Sequence, residues 1–140
     1  MNTQNYTQKT VEAIQNAQNI ARENDNQSLV PEHLLYSLLD QDGGLIPSLF
    51  GKMGVDCNTV LGELDSYIAT LPKVSGGEMY LSSETDRVIR TAEKTAKSMN
   101  DEYVSVEHLM LGIFTNMTPE IRKIFNTHGI TTVSYTHLRA

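Results

Sequence analysis

Apolar residues along much of this chain recur every three or four positions, the spacing of amphipathic helices. The first such segment predicts a helix from about Thr7 to Glu23, and a second helix is predicted to begin at Pro31, because proline suits the first turn of a helix. The first apolar stripe is narrow and built mainly of small side chains, which lets a neighbouring helix approach closely. No segment shows the alternation of a strand, so the pattern predicts an all-α fold.

Two further helices are predicted in the first half of the chain. A short helix around Leu49 and Phe50 is expected to stop at Gly54, since glycine tolerates the left-handed conformation that ends many helices. A longer helix is expected from about Cys57 to Leu71, with proline at position 72 closing it. The first half therefore contains four predicted helices.

The same pattern occurs twice. Sliding the chain by 75 positions aligns its halves without a gap, so that Thr10 falls on Thr85 and Phe50 on Phe125. The matching positions are almost all apolar or small, which means that the repeated feature is a packing unit. Other identical pairs are Ile14 and Ile89, Ala17 and Ala92, Ala21 and Ala96, the triplets Glu32-His33-Leu34 and Glu107-His108-Leu109, and Gly54 and Gly129.

This repeat predicts the organisation of the domain. Repeat one spans about residues 5–71, residues 72–80 form a linker rich in turn formers, and repeat two spans about 81–131. With four helices in each copy, residues 1–140 are expected to form one eight-helix domain with pseudo-twofold symmetry.

The end of the second repeat departs from this pattern. A fourth helix is expected after Thr131, yet residues 132–140 form an atypical tail that is short and weakly periodic. This tail indicates a truncated repeat, a foreign sequence, or both.

Charge and composition narrow the classes of function. The 140 residues carry 11 Lys+Arg against 17 Asp+Glu, a formal net charge of −6, without the basic cluster that binds a phosphate backbone. Nucleic acid is therefore not expected as a partner. The chain has neither a signal-like start nor an apolar run long enough to span a bilayer, so we expect no membrane partner and a cytoplasmic location.

The sequence predicts no catalytic residue, metal or cofactor. No nucleophile and base, carboxylate pair or metal-ligand set has usable spacing, and a small enzyme therefore stands as a rival that a hydrolase assay would reveal. His33 and His108 each lack a His-x-x-x-His partner, so both are expected to serve in helix capping or core hydrogen bonding. The glycine pairs at 43–44 and 76–77 lack the lysine of a phosphate-binding loop, so ATP is not expected to bind.

Several strings carry a resemblance to a known family. The twofold order of a first helix, Glu-His-Leu opening a second, and a short helix ending in Gly-Val or Gly-Ile resembles the Clp N-terminal domain family over residues 4 to about 131. The strings Leu-Pro-Lys-Val-Ser-Gly-Gly at 71–77, Tyr-Leu-Ser at 80–82 and Asp-Glu-Tyr-Val-Ser-Val-Glu-His-Leu at 101–109 look most like the ClpB branch.

This resemblance implies a function. A ClpB-type N-terminal domain is expected to bind unfolded or aggregated polypeptide, directly or through an adaptor protein, and to deliver it to an ATP-driven disaggregase motor in protein refolding and heat stress. Hexamer formation would come only through ATPase modules, for which this sequence has no motif. The alternative is a ClpC-type domain that binds an adaptor or phosphoarginine. An adaptor-binding module independent of any motor is the third possibility.

The resemblance also selects residues for substrate binding. It places Thr7, at the start of the first helix, near the loop before Glu107, so that Thr7, Asp101 and Glu107 are expected to contact the client polypeptide. Tyr103 and Val104 follow Asp101 in an otherwise polar turn. They are expected either to line an apolar groove or to fill the space between the repeats.

Glu32 occupies the same place in repeat one as Glu107 in repeat two. The resemblance makes Glu32 the equivalent binding residue of the other repeat, where it would contact a basic group. The competing explanation is that each carboxylate stabilises the start of its own helix, where the helix dipole favours negative charge.

Overall fold

The computed structural model describes residues 2–139, which form eight helices and two very short strands. In chain order the elements are α1 (Gln8–Glu23), β1 (Ser28–Leu29), α2 (Pro31–Leu39), α3 (Leu45–Lys52), α4 (Cys57–Ile68), β2 (Tyr80–Leu81), α5 (Ser83–Ser98), α6 (Val106–Thr115), α7 (Pro119–His128) and α8 (Thr132–Arg139). The predicted all-α fold of eight helices is confirmed. Within residues 2–139, no helix combines the length and the apolar character needed to cross a bilayer.

The two halves are built on the same plan. Helices α1 and α5 both contain 16 residues and begin 75 positions apart, at Gln8 and Ser83. Thr7 and Ser82 are their N-caps, and each hydroxyl accepts a hydrogen bond from the backbone N–H three residues later. Because α1 packs chiefly on α2, and α5 on α6, each repeat has a helix pair of its own.

Crosswise backbone pairs join the repeats. Leu29, just before α2, pairs in parallel with Leu81, which leads into α5. Val104, just before α6, pairs in the same way with Tyr6, which leads into α1. A shift of 75 positions turns one pair into the other, so the two pairs are related by the pseudo-twofold axis.

Two carbonyl groups hold these crosswise pairs. The Val104 carbonyl accepts hydrogen bonds from the Thr7 backbone N–H at 3.1 Å and from the Thr10 hydroxyl at 3.0 Å. The Leu29 carbonyl accepts the equivalent two hydrogen bonds, from the Ser82 backbone N–H at 3.0 Å and from the Thr85 hydroxyl at 2.7 Å. Both threonine side chains are fully buried, so each hydroxyl needs a partner inside the fold. This requirement explains why threonine occupies the same position in both repeats.

An aromatic cluster fills the centre of the molecule. Phe50 and Phe125, which occupy equivalent positions, contact each other edge to face with ring centroids 6.3 Å apart. The ring centroid of Phe114 lies 5.2 Å from the ring centroids of both Phe125 and Tyr135. Equivalent residues can touch in this way only close to the symmetry axis, so the two repeats share one core.

The tail predicted to be atypical forms helix α8. It has eight residues, against twelve in its counterpart α4, and Tyr135 is its only buried residue. A helix of two turns with one buried position produces almost no periodicity, which is why the pattern did not show it. Helix α8 packs on α3 of the first repeat, as α4 packs on α7 of the second.

Two other sequence expectations differ from the structure. The expectation of no strands was wrong, because β1 and β2 pair in parallel over two residues each. Such short strands are too short to show alternation, and their pairing is set by contacts between the repeats. Helix α4 ends at Ile68 and not near Leu71, with Thr70 and Leu71 closing it by hydrogen-bonded turns.

Helices α5 and α6 approach each other most closely at Gly112. A Cβ atom at this position would overlap the carbonyl oxygen of Val88 and would lie 3.2 Å from its Cγ1 atom. The equivalent position in repeat one is Ser37, whose hydroxyl donates to the Ala13 carbonyl at 2.6 Å. The second repeat therefore packs backbone against backbone where the first uses a hydrogen bond.

Each repeat also contains a buried histidine that fixes the start of its second helix. The Val30 N–H donates to His33 Nδ1 at 3.0 Å, so the proton of the neutral ring is on Nε2, which lies 2.9 Å from Asn26 Oδ1. In the second repeat the Ser105 N–H donates to His108 Nδ1, and His108 Nε2 lies 2.8 Å from Asp101 Oδ2. The structural role expected for both histidines is what the structure shows. Burial lowers the pKa of His33 to about 4.

We predict that Gly112→Ala destabilises the domain by about 1–3 kcal/mol, because α5 and α6 must separate to admit the methyl group. The matched control is Gly62→Ala, in the middle of α4, where an added Cβ meets nothing within 4 Å. In the control, the free energy of unfolding should increase by about 0.5–1 kcal/mol, since alanine is the better helix former. Urea unfolding of both variants measures the difference, and equal effects would contradict the close approach.

We also predict a pH dependence of stability that His33 causes. Because its pKa is about 4 in the folded protein and about 6.5 when unfolded, the unfolded chain binds more protons between these values. Stability is therefore lost as the pH falls from about 6.5 towards 4, by on the order of 2 kcal/mol. In His33→Gln the glutamine oxygen can still accept from Val30, but this loss should disappear.

The measurement for His33 is the free energy of unfolding at several pH values between 7 and 4. The difference between wild type and His33→Gln should shrink as the pH falls. His137→Gln, at an exposed position, is the control and should give a curve parallel to that of wild type. A His33→Gln curve that stays parallel to wild type would rule out this histidine as the cause.

Candidate docking groove

An open groove lies beside the loop between α5 and α6. Its volume is about 340 Å³, and its walls come from the N-terminal segment, the end of α5 and the loop. Three of the residues selected from the sequence line it, namely Asp101, Tyr103 and Val104. The other lining residues are Asn2, Asn5, Tyr6, Glu93, Ala96, Lys97 and Glu102. We call it the 101–104 groove.

Val104 forms the floor of this groove. Its side chain belongs to the core, with 6% of the residue exposed, and its backbone is held on both sides. The Val104 N–H donates to the Asn5 carbonyl at 2.8 Å, and the Val104 carbonyl accepts from Thr7. The Thr7 N–H thus helps to position the loop, while its hydroxyl caps α1. Thr7 does not line the groove, and its expected contact with a client polypeptide stays a prediction.

Asp101 and Tyr103 form the exposed rim. The Asp101 side chain is 46% exposed although one of its oxygens accepts the hydrogen bond from His108. Tyr103 is 51% exposed, and the next residue, Val104, is held by backbone hydrogen bonds on both sides. The arrangement presents one charged and one aromatic group on a rigid support.

The opposite wall is closed by a hydrogen bond between Tyr6 and Glu93. The Tyr6 hydroxyl donates to Glu93 Oε2 at 2.7 Å. Burial is the main reason why the pKa of Tyr6 is raised, and the bond to the Glu93 carboxylate adds to it. Tyr6 therefore stays a neutral donor that ties the N-terminal segment to α5.

Glu107 and Glu32 lie outside this groove. Glu107 lies in the first turn of α6, and its Oε2 atom is 3.5 Å from Nη1 of Arg139 in α8. Glu32 is only 2% exposed, and the Thr118 hydroxyl at the start of α7 donates to its carboxylate at 2.6 Å. Burial raises the pKa of Glu32 despite that hydrogen bond. Their assignment as binding residues stays a prediction, and the Glu32 carboxylate is already engaged by the other repeat.

Sequence reasoning missed five polar residues of the groove, which are Asn2, Asn5, Glu93, Lys97 and Glu102. The signal that could have found the N-terminal wall is the repeat itself. Residues 2–6 align with residues 77–81 under the shift of 75, which marks them as the same part of the repeated unit although neither segment shows strand periodicity. Within residues 2–139, no group of three or more histidine, cysteine or acidic side chains is placed to hold a metal ion.

Comparison with known proteins gives consistent relatives. The model of the Clp repeat (R) N-terminal domain matches residues 5–128. The chaperone protein ClpB of Porphyromonas gingivalis is 45% identical over 115 residues, which are 82% of this chain and 13% of that protein. The chain thus spans about an eighth of the length of this curated relative.

Two solved structures show the same fold. The N-terminal domain of Hsp104 from Candida albicans has a TM-score of 0.85 at 19% identity, covering 96% of this chain and 89% of that one. A ClpV N-domain solved in complex with a VipB peptide has a TM-score of 0.72 at 14% identity, covering 89% and 79%. With the family match over most of its length, this chain belongs to the Clp repeat (R) N-terminal domain family.

Proposed function

We propose that this domain docks unfolded or aggregated polypeptide, directly or through an adaptor, for a ClpB-type ATP-dependent disaggregase. The 101–104 groove is the docking site, with Tyr103 as its apolar contact and Asp101 as its polar contact. The bound polypeptide would pass from here to the motor in protein refolding and the response to heat stress.

The observation that carries this proposal is the combination of a fixed backbone and an exposed rim. Val104 is held by hydrogen bonds to both Asn5 and Thr7, so binding does not have to order the loop. Tyr103 can bury a large area while losing little conformational freedom, as tyrosine does in many binding surfaces. The identity to ClpB chaperones and the peptide bound by a ClpV N-domain agree with a peptide-binding role.

Binding to a single domain should be weak. Burying about 300 Å² of apolar surface at ~25 cal/mol/Å² contributes roughly 7 kcal/mol, and association costs of at least ~4 kcal/mol leave about 3. This corresponds to a dissociation constant in the millimolar range. Weak binding suits delivery, because several domains on one ring act together through effective concentration while each one releases its client readily.

The ClpC-type alternative has less support from the geometry. It requires Glu32 and Glu107 to hold a phosphoarginine guanidinium. Glu32 is 2% exposed and bonded to Thr118, so a ligand there would first have to displace a contact between the repeats.

We predict that Tyr103→Ala raises the dissociation constant for an unfolded polypeptide by roughly three- to tenfold, the cost of removing a modest aromatic contact. Tyr80→Ala is the matched control, because Tyr80 is similarly exposed (57%) but lies beside the first repeat. The measurement is an NMR titration of the chain with a permanently unfolded protein such as reduced, carboxymethylated lactalbumin.

The same titration tests the location of the site. Chemical-shift changes should be confined to residues 2–6 and 93–104. Nanomolar binding, no binding at millimolar concentration, or equal effects of Tyr103→Ala and Tyr80→Ala would each contradict the proposal.

A further inference from the structure

Part of the linker between the repeats lies against the first repeat's version of the groove. The counterpart of the loop at 101–104 is the loop at 26–29, and linker residues 77–79 correspond to residues 2–4 of the N-terminal wall. The linker residues before them, 72–76, have no counterpart among residues 2–139 and run along the loop at 26–29. This position shows how an extended segment lies on the common framework. The linker thereby indicates a ligand class for the 101–104 groove, an inference that rests on the proposed function.

Side-chain amides hold both parts of the linker in place. Gln27 Nε2 donates at 3.3 Å to the carbonyl of Glu78, which belongs to the counterpart of the N-terminal wall. Asn26 Nδ2 donates at 3.3 Å to the carbonyl of Pro72, in the segment before it. The Asn26 amide faces a backbone carbonyl group, so this contact recognises an extended chain without selecting its side chains.

Two carbonyls at the end of α1 complete the contact. The Asp25 carbonyl accepts from the Val74 N–H at 2.8 Å. The Asn24 carbonyl accepts from Lys73 Nζ at 3.1 Å, a cation at the C-terminus of a helix, where the helix dipole favours positive charge. The linker thus donates a backbone N–H and a lysine ammonium group to the carbonyls at the end of α1.

The two grooves differ in how far their equivalent side chains are exposed to solvent. Asn26, under the linker, is 4% exposed, whereas the side chain of its equivalent Asp101 is 46% exposed. The backbone at the two positions is alike, because Asp25 and Asn100, which precede them, have φ values of 55° and 57°. The 101–104 groove is therefore the same framework with its binding surface uncovered.

The side chains that meet the ligand differ in one chemical respect. Asp101 stands in place of Asn26 and Glu102 in place of Gln27, so two amide donors are replaced by two carboxylates that only accept. At the end of α5, the carbonyls of Met99 and Asn100 receive no hydrogen bond from any residue in 2–139. The two carbonyls and the carboxylates of Asp101 and Glu102 can therefore accept hydrogen bonds from a ligand.

We infer that the 101–104 groove binds an extended segment that carries lysine or arginine, lying along the groove as the linker lies along its counterpart. The cationic side chain takes the place of Lys73 near the end of α5 and reaches Asp101 and Glu102. Three carboxylates, those of Glu93, Asp101 and Glu102, line the groove against one ammonium group, that of Lys97, which leaves it negatively charged.

The test uses the chain itself and two ten-residue peptides without secondary structure. One peptide contains two arginines and one tyrosine among glycine and serine, and the other has glutamine in place of each arginine. The arginine peptide should bind about three- to tenfold more tightly than the glutamine peptide, and added salt should reduce this preference. NMR shifts should map to residues 2–6 and 93–104.

The decisive variant is Asp101→Asn combined with Glu102→Gln, which gives the second repeat the amides of the first. Asn26 shows that an asparagine at this position keeps the hydrogen bond from the histidine, so the fold should be retained. In this variant the preference for arginine should disappear. The control variant combines Asp42→Asn with Asp65→Asn, at two exposed positions outside the groove. It removes the same amount of charge and should leave the preference for arginine intact.

The outcomes separate the two proposals. If both peptides bind in the groove with equal affinity, the charge preference is wrong while the docking function stands. If the arginine preference survives Asp101→Asn with Glu102→Gln, it arises elsewhere on the surface, and the inference is again overturned. If neither peptide shifts residues 2–6 or 93–104 at millimolar concentration, the docking function fails as well.

Discussion

The structure depends on two backbone carbonyls, those of Leu29 and Val104, each of which accepts hydrogen bonds from the start of the other repeat. A buried carbonyl without a partner costs free energy, and neither repeat can supply these partners alone. The loop that precedes the second helix of each repeat is therefore fixed only when both repeats are folded. This arrangement couples the repeats more specifically than apolar packing would, because a slip of one residue between them would break four hydrogen bonds at once.

The same coupling gives the 101–104 groove its rigidity. Its floor, Val104, lies at the crosswise contact, so the loop is held where the two halves meet. Tyr103 and Asp101 are consequently presented to solvent on a backbone that cannot retreat into the core. In the docking that we propose, a ligand would therefore meet a surface that is already organised.

The sequence predicted the elements of the fold better than the relation between them. Helix positions followed from periodicity, and the repeat followed from identities such as Thr10 with Thr85, whose buried hydroxyls explain the match. The crosswise pairing could not be predicted, because two-residue strands carry no periodicity and their partners lie more than 50 positions away. For the candidate site, the loop at 101–104 was selected through the family resemblance, and its role in binding stays a prediction. The burial of Glu32 was not predicted, because its partner Thr118 lies in the other repeat.

Internal symmetry allows one half of the molecule to serve as a reference for the other. Where the repeats agree, at the caps, the buried threonines and the histidines, the requirement is structural, since the same geometry recurs in both. They differ at Asn26 and Asp101 although both side chains accept the same hydrogen bond from a histidine. Because an asparagine satisfies that bond, the fold does not demand a carboxylate at position 101. Our proposal assigns the negative charge there to contact with an extended ligand, of the kind that linker residues 72–76 exemplify on the first repeat.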